Sequence, residues 1–217
     1  MANRQTGGRG RQGRSFLSPA GKGLYLSVLL RPRQPAGELM KVTGMAAVAV
    51  CRAVERVSGA ELGIKWVNDL VLGGRKLCGI LAETAAVEGE TALIIGAGVN
   101  VDHSREDFTA EVAELATSLA MEGFRVSRAE LAAAMLRELD ALGRALGGDT
   151  ADWTDFYRRR CVNLGREVRL LWSQGREKAR ALDVDDMFGL VVRREDGTTD
   201  TIRTGEVSVR GLYGYLD

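Results

Sequence analysis

Five consecutive residues, Lys65-Trp-Val-Asn-Asp69, carry the densest chemistry in the sequence. Lys is scarce here, and this one closes an apolar run just before a polar Asn-Asp turn. An ammonium half-buried at such a point can stabilise charge that develops on a phosphate in a transition state. Asn68 and Asp69 can orient nucleotide oxygens or Mg²⁺. An Asx turn beside a snorkelling Lys would produce the same five letters without chemistry. A second constellation is Gly8-Arg-Gly-Arg-Gln-Gly13, continued by Arg14. It matches GxGxxG literally but not as a dinucleotide fingerprint: no strand precedes it, no helix follows, and the first carboxylate in the chain is Glu38. Arg9, Arg11 and Arg14, separated by glycines, instead offer guanidinium forks and backbone N–H groups that can grip a phosphate or carboxylate. A Gly/Arg tail or a nucleic-acid arm has the same composition, although the arm lacks interleaved aromatics for base stacking. Two further pieces are Lys76-Leu-Cys-Gly-Ile-Leu-Ala-Glu83 and Gly96-Ala-Gly-Val-Asn100. Gly79 inside a strand marks a bulge or a ligand lying against the main chain, or is part of a routine hairpin.

The frame for these residues is an ordinary globular chain of 217 residues, 45% apolar and 27% charged, with a net charge of +1. No window approaches about 18 uncharged apolar residues, so the sequence offers no transmembrane helix, and its start lacks the apolar core of a signal peptide. Three widely separated Cys and no CxxC pair point to reduced thiols in the cytoplasm, and a single His rules out the usual zinc sites. Residues 1–37 hold seven basic side chains and no acid. That asymmetry calls for an anionic partner.

The elements that must position the chemistry follow from periodicity. Leu24–Leu30 reads as a buried strand, Glu38–Val57 as a helix ended by Gly59, and Ile64–Val67 as a short strand. Gly73-Gly74 joins Leu70–Leu72 to Leu77–Glu83 as a hairpin. Thr91–Ile95 is a strand that ends on the Gly96–Asn100 segment. Ser127-Arg-Ala-Glu130 opens a helix whose stripe Leu131, Met135, Leu139, Leu142 and Leu146 should pack on a sheet face, and Trp153–Cys161 forms another. After about Asn163 short strands recur at close spacing: Val168–Trp172, Ala179–Val184, Gly189–Arg193, Thr199–Ile202 and Glu206–Val209. That rhythm predicts a small barrel. The expected layout is α+β over residues 1–162, then a small all-β domain over residues 163–217.

In order and spacing these motifs resemble the bacterial biotin protein ligases. The matching text is Gln5-Thr-Gly-Gly-Arg-Gly-Arg-Gln-Gly-Arg14, Ser18-Pro19, Gly23-Leu-Tyr-Leu-Ser27, Lys65-Trp-x-Asn-Asp69, Lys76-x-x-Gly-Ile-Leu81, Gly96-x-Gly-x-Asn100 and Gly205-Glu-Val-Ser208. The resemblance runs from about residue 2 to the C-terminus. It implies a biotin/lipoate ligase-like mixed sheet with packed helices, followed by an SH3-like β-barrel. It also implies the activity: biotin and MgATP give biotinyl-5′-AMP and pyrophosphate, and the biotinyl group then passes to a lysine of a biotin carboxyl carrier protein. By resemblance, Lys65 and Arg11 are catalytic. Gln5, Arg9, Gly10, Arg11, Lys65 and Gly79 contact biotin. Arg11, Arg14, Asn68 and Asn100 contact the nucleotide, and Asp69 serves Mg²⁺. Biotin, ATP and the carrier are the partners, with neither DNA nor membrane expected and a homodimer left open. The arginine loop should order on biotin or the adenylate.

The sequence departs from the family pattern at three places. Val67 stands where the family has Pro, which removes a fixed φ. Phe16 replaces the usual Trp, a smaller lid over the biotin pocket. Family ligases also carry a helix, a strand and a Ser/Thr-rich biotin-contacting motif ahead of the arginine loop, with no counterpart here. The expectation is therefore a pocket short of part of one wall. Other readings are a catalytically impaired homologue, a fragment of a longer ligase or, within the same superfamily, a lipoate ligase. The Gly-Arg-Gly-Arg loop and the Gly-Glu-Val-Ser segment favour biotin.

Overall fold

The computed structural model describes the chain except residues 14, 36, 173–174, 204–207 and 211–217, and leaves aside the side chains of residues 12, 172 and 208–210. Arg14 and Gly205-Glu-Val207 therefore lie outside the described residues. Strands β1 (Gly23–Leu30), β2 (Gly63–Lys65), β3 (Asp69–Leu72), β4 (Arg75–Val87) and β5 (Glu90–Asn100) form one sheet in the order β1-β5-β4-β3-β2. Helices α1 (Val42–Ser58), α2 (Ala110–Ala113), α3 (Arg128–Ala145) and α4 (Ala151–Arg160) complete the first unit. A second sheet holds β6 (Glu167–Trp172), β7 (Gly175–Val184), β8 (Leu190–Arg194), β9 (Thr199–Ile202) and β10 (Ser208–Arg210), in the order β10-β6-β7-β8-β9.

The α+β class stands, but the expected mixed sheet does not. Every pairing between the named strands of both sheets is antiparallel. The reason is connectivity: β3 and β4 are joined by Gly73-Gly74, both at positive φ, and β4 and β5 by Glu88-Gly89, also both positive. The helix α1 does link β1 to β2 as a crossover, yet those strands lie at opposite edges and never pair.

Alternation in the first sheet separates core from site. One transverse row, Ile64–Leu70–Cys78–Val99–Leu24, is buried and belongs to the core shared with α1, α3 and α4. The neighbouring row, Lys65–Asp69–Gly79–Gly98–Tyr25, points to the other face. Helix α1 is small-residue-rich and buried nearly all round, and it ends on Gly59 at φ 72°, a left-handed cap. The chain enters it through a 3₁₀ turn, Glu38–Lys41, rather than as one continuous helix. Helix α3 starts where Ser127 Oγ accepts from the Glu130 N–H, and it packs on α1 and the edge of β1 rather than on a sheet face alone. Strand β5 is longer than expected. It runs through Gly96 and Gly98 to Asn100, so both glycines lie within the sheet. The predicted strand over Ile64–Val67 stops at Lys65, and the Trp66–Val67 peptide that follows is cis.

The single His closes this frame. His103 follows β5, is 1% exposed and stacks on Phe108 with ring centroids 5.1 Å apart. Neither ring nitrogen has a hydrogen-bond partner. Burial pulls its pKa down from 6.5 to about 4, with Lys22 adding to that and Asp107 and Asp102 opposing it. The unfolded chain takes up this proton at ordinary His pH, so between about pH 6.5 and 4 it binds more protons than the fold. Stability should fall as the pH drops through that window, by up to about 1.4 kcal/mol per pH unit, with no contribution above it. Urea unfolding across that range, compared with a His103→Phe variant, measures this slope. An identical slope in the variant would remove His103 as its source.

Candidate active site

The arginine loop folds back on itself over the sheet. The Gln5 N–H donates to the Ser18 carbonyl (3.2 Å), and Ser18 Oγ donates to Gln5 Oε1 (2.7 Å). Further in, the Phe16 N–H donates to the Gly8 carbonyl (2.9 Å) and Arg9 bridges to Ser15. A Cβ on Gly8 would lie 2.4 Å from the Phe16 carbonyl oxygen, so this crossing requires glycine. The tip is a 3₁₀ turn, Arg11–Gly13. From it Arg11 donates to Asn68 Oδ1 at 3.1 Å. One predicted motif thereby holds the other. Asn68 is fixed in turn, its amide donating to the Ile80 carbonyl (2.7 Å) while its own carbonyl accepts from the Ile80 N–H (3.0 Å).

Between loop and sheet lies a cavity of about 900 Å³. Gln5, Arg9, Gly10, Arg11, Lys65, Asn68, Asp69, Gly79 and Asn100 all line it. Of the residues expected to contact biotin, nucleotide or Mg²⁺, only Arg14 lies outside the described residues. Lys65 is 5% exposed on the wall. Asp69 pairs with Lys76 (2.7 Å), and Arg9 pairs with Glu83 (3.0 Å) at the exposed rim, where such a pair contributes little. Asn100 is buried and donates to the Thr117 carbonyl (2.9 Å). Four cationic side chains, Arg9, Arg11, Lys65 and Lys76, face two carboxylates, Asp69 and Glu83, so the walls favour an anion. Among the described residues no group of three or more His, Cys, Asp or Glu gathers as a metal site.

The floor of the cavity and one of its walls are not apparent from the motifs. Gly79 and Gly98 are direct cross-strand partners, and the Phe16 ring covers both. A Cβ on Gly98 would lie 2.5 Å from Phe16 Cε1, and one on Gly79 3.4 Å from Cε2. The β-bulge near the site falls between Leu70 and Val71, not at Gly79. Thus Gly98 serves close approach of an aromatic ring, while a Cβ at Gly79 would meet Lys76 Cε first, at 3.3 Å; Tyr25 meets the Phe16 ring edge-on at 6.4 Å. The missed wall is Phe108, Thr109, Val112, Leu115 and Ala116. Its one signal was its place directly after the Asn100 strand end. The three Cys are buried and their thiols are pushed up by burial, so none is a nucleophile for this site.

Comparison with known proteins agrees with this geometry. Residues 1–100 match the model of the biotin/lipoate A/B protein ligase family. The biotin--[acetyl-CoA-carboxylase] ligase of Mycobacterium tuberculosis is 34% identical over 213 residues, covering 95% of this chain and 77% of that protein. The bifunctional ligase/repressor BirA of Bacillus spizizenii is 32% identical over 204 residues, 91% of this chain. The chain spans 62% of that relative's length. Among solved structures, the biotin protein ligase from Aquifex aeolicus in complex with biotin and ATP superposes with a TM-score of 0.83 at 28% identity, covering 96% of this chain and 87% of that one. With the arginine loop, the buried Lys and the glycine floor meeting at one cavity, the chain belongs to the biotin/lipoate A/B protein ligase family, as a homologue of its biotin protein ligases.

Proposed function

We propose that this chain joins biotin to ATP as biotinyl-5′-AMP and then passes the biotinyl group to a lysine of a biotin carboxyl carrier protein. In the first step a biotin carboxylate oxygen attacks the α-phosphorus, the bond to the β-phosphate oxygen breaks, and pyrophosphate leaves. In the second a neutral lysine amine attacks the mixed-anhydride carbonyl, an amide forms, AMP leaves and the amine proton passes to solvent. The observation that carries this reading is the buried Lys65 on the wall of a cation-rich cavity whose roof is the arginine loop. Charge accumulates at the α-phosphorus, and a fixed ammonium in a water-poor site acts on it strongly. Arg11 and Gly10 would hold carboxylate and phosphate oxygens, with Arg9, Gln5 and the Gly79 floor on the biotin side and Asn68, Asn100 and Arg14 on the nucleotide side.

Mg²⁺ held mainly by phosphates would take Asp69 as its one carboxylate, in exchange for the Lys76 ammonium that lies 2.7 Å from it. Such an ion would neutralise phosphate oxygens. The reading also divides the chain into two domains near residue 163, with the second sheet closing as a small SH3-like barrel. Three free buried Cys fit a reducing cytoplasm, and a homodimer is the assembly to look for. No helix among the described residues is long and apolar enough to cross a membrane.

Incubation with MgATP and an isolated carrier domain, with biotin or lipoate in parallel, tests the assignment. Streptavidin-detectable carrier with biotin is expected. Transfer of lipoate instead, or of neither, would contradict it. The glycine floor adds a second expectation. Gly98→Val drives the Phe16 ring off the floor into the cavity, so the KM for biotin should rise about tenfold or more while the melting temperature moves little. An unchanged KM would show that the floor does not carry biotin.

A further inference from the structure

Strand β2 carries Lys65 and is the edge strand of its sheet. An edge strand leaves a row of backbone groups without sheet partners, and here their partners come from elsewhere in the chain. The Ile64 carbonyl accepts from the Val162 N–H (3.0 Å). The Trp66 N–H donates to Asn163 Oδ1 (2.7 Å), and the Val67 carbonyl accepts from the Tyr157 hydroxyl (3.2 Å). The Trp66 indole N–H donates to the Phe188 carbonyl (2.8 Å). All four partners lie on the end of α4, the crossing to the second sheet, or the turn between β7 and β8.

Phe188 is the unusual member. It is a non-glycine at φ 60°, a conformation that L side chains seldom adopt. Its ring is fully buried, edge-on to Tyr157 at 5.3 Å. It fills the place of a side chain at Gly44 of α1, where a Cβ would lie 2.2 Å from Phe188 Cδ1. Arg158 ties the same turn to α4 by donating to the Val184 carbonyl (2.7 Å) and to Asp186 (3.1 Å). The second sheet is thus wedged by one ring into the first unit, and the carbonyl of the wedge residue holds the indole next to Lys65. Asn163, 4% exposed, sits where the chain passes from one sheet to the other and holds the same residue's N–H.

We infer that Asn163 and Phe188 are positioning residues for Lys65, through which the second sheet sets the geometry of the site without touching substrate. This rests on the reading of Lys65 as the group that acts at the α-phosphorus. Neither side chain lines the cavity, so loosening them should shift Lys65 while leaving the other expected biotin contacts, Gln5, Arg9, Gly10, Arg11 and Gly79, in place. A displacement of about 1 Å at a catalytic group costs roughly a hundredfold in rate.

The test uses the whole chain carrying Asn163→Leu, Asn163→Asp or Phe188→Ala. In biotin-dependent pyrophosphate release, Asn163→Leu and Phe188→Ala should lower kcat about 10- to 100-fold with the KM for biotin within about threefold. Asn163→Asp keeps an acceptor for the Trp66 N–H and should recover most of the loss. The second readout needs no activity: acetylation of Lys65 by an amine-reactive ester, followed peptide by peptide and normalised to Lys41 and Lys178 in the same sample. Lys65 alone should become more reactive in Asn163→Leu and Phe188→Ala. Unchanged kcat and unchanged Lys65 labelling would overturn the inference. So would parallel rises at all three lysines, since general loosening would then be the cause. An inactive parent chain with selective Lys65 labelling in the variants would keep the positioning role and reject the catalytic reading.

Discussion

Lys65→Met is expected to lower the rate of adenylate formation by about 10²–10³-fold, with the KM for biotin little changed. The substitution keeps the apolar stem and removes only the ammonium. The buried wall position therefore stays filled, and a retained melting temperature would separate a chemical loss from an unfolded protein. The magnitude follows from where the charge acts. Lys65 is almost fully buried, so water does not screen it as it would a surface cation. In the ground state the α-phosphate carries charge already spread and countered by neighbours. At the five-coordinate phosphorus more charge accumulates, and a group fixed beside it lowers the barrier more than it tightens binding. A Lys65→Met variant that kept its kcat would leave the site without its central residue, and the arginines would have to supply the stabilisation.

Arg11→Gly is expected to free the intermediate rather than stop its formation. Arg11 ties the tip of the loop over residues 5–18 to Asn68 at 3.1 Å, inside the cavity, whereas the Arg9–Glu83 pair lies at the exposed rim. A hydrogen bond from a charged donor contributes about 1.5–3 kcal/mol, so its loss should speed escape of biotinyl-5′-AMP about 10- to 100-fold. The loop also excludes water, and a released mixed anhydride reacts with any accessible amine. Incubation of the variant with biotin, MgATP and an unrelated lysine-rich protein should therefore label that protein, whereas the parent labels the carrier alone. Equal selectivity and equal retention of the adenylate would show that Arg11 does not close the site.

These two residues were legible in the sequence because their motifs are contiguous. A scarce Lys beside Trp and an Asn-Asp turn, and arginines separated by glycines, announce their chemistry without a fold. What joins them was not legible. Lys65, Asp69, Gly79, Gly98 and Tyr25 form one row across the sheet only because four strand pairings share a register, and register is set by turns and burial rather than by any one motif. The Phe16 ring on Gly98 joins residues 82 positions apart. Glycines are poor strand formers, so the sequence predicts a strand that ends at Ile95, whereas cross-strand pairing on both sides carries β5 through Gly96 and Gly98 to Asn100. Asn163 and Phe188 carried no signal at all. Neither belongs to a motif, and their role appears only once the edge of β2 needs partners.

The most direct test of the central claim is pyrophosphate release from α-labelled ATP and Mg²⁺, with and without biotin, on this chain alone. Release that depends on biotin, with labelled AMP retained on the protein as the adenylate until carrier is added, is the expected result. Release that is indifferent to biotin, or no release while biotin and ATP both bind, would contradict it and leave the cavity a binding site without the reaction.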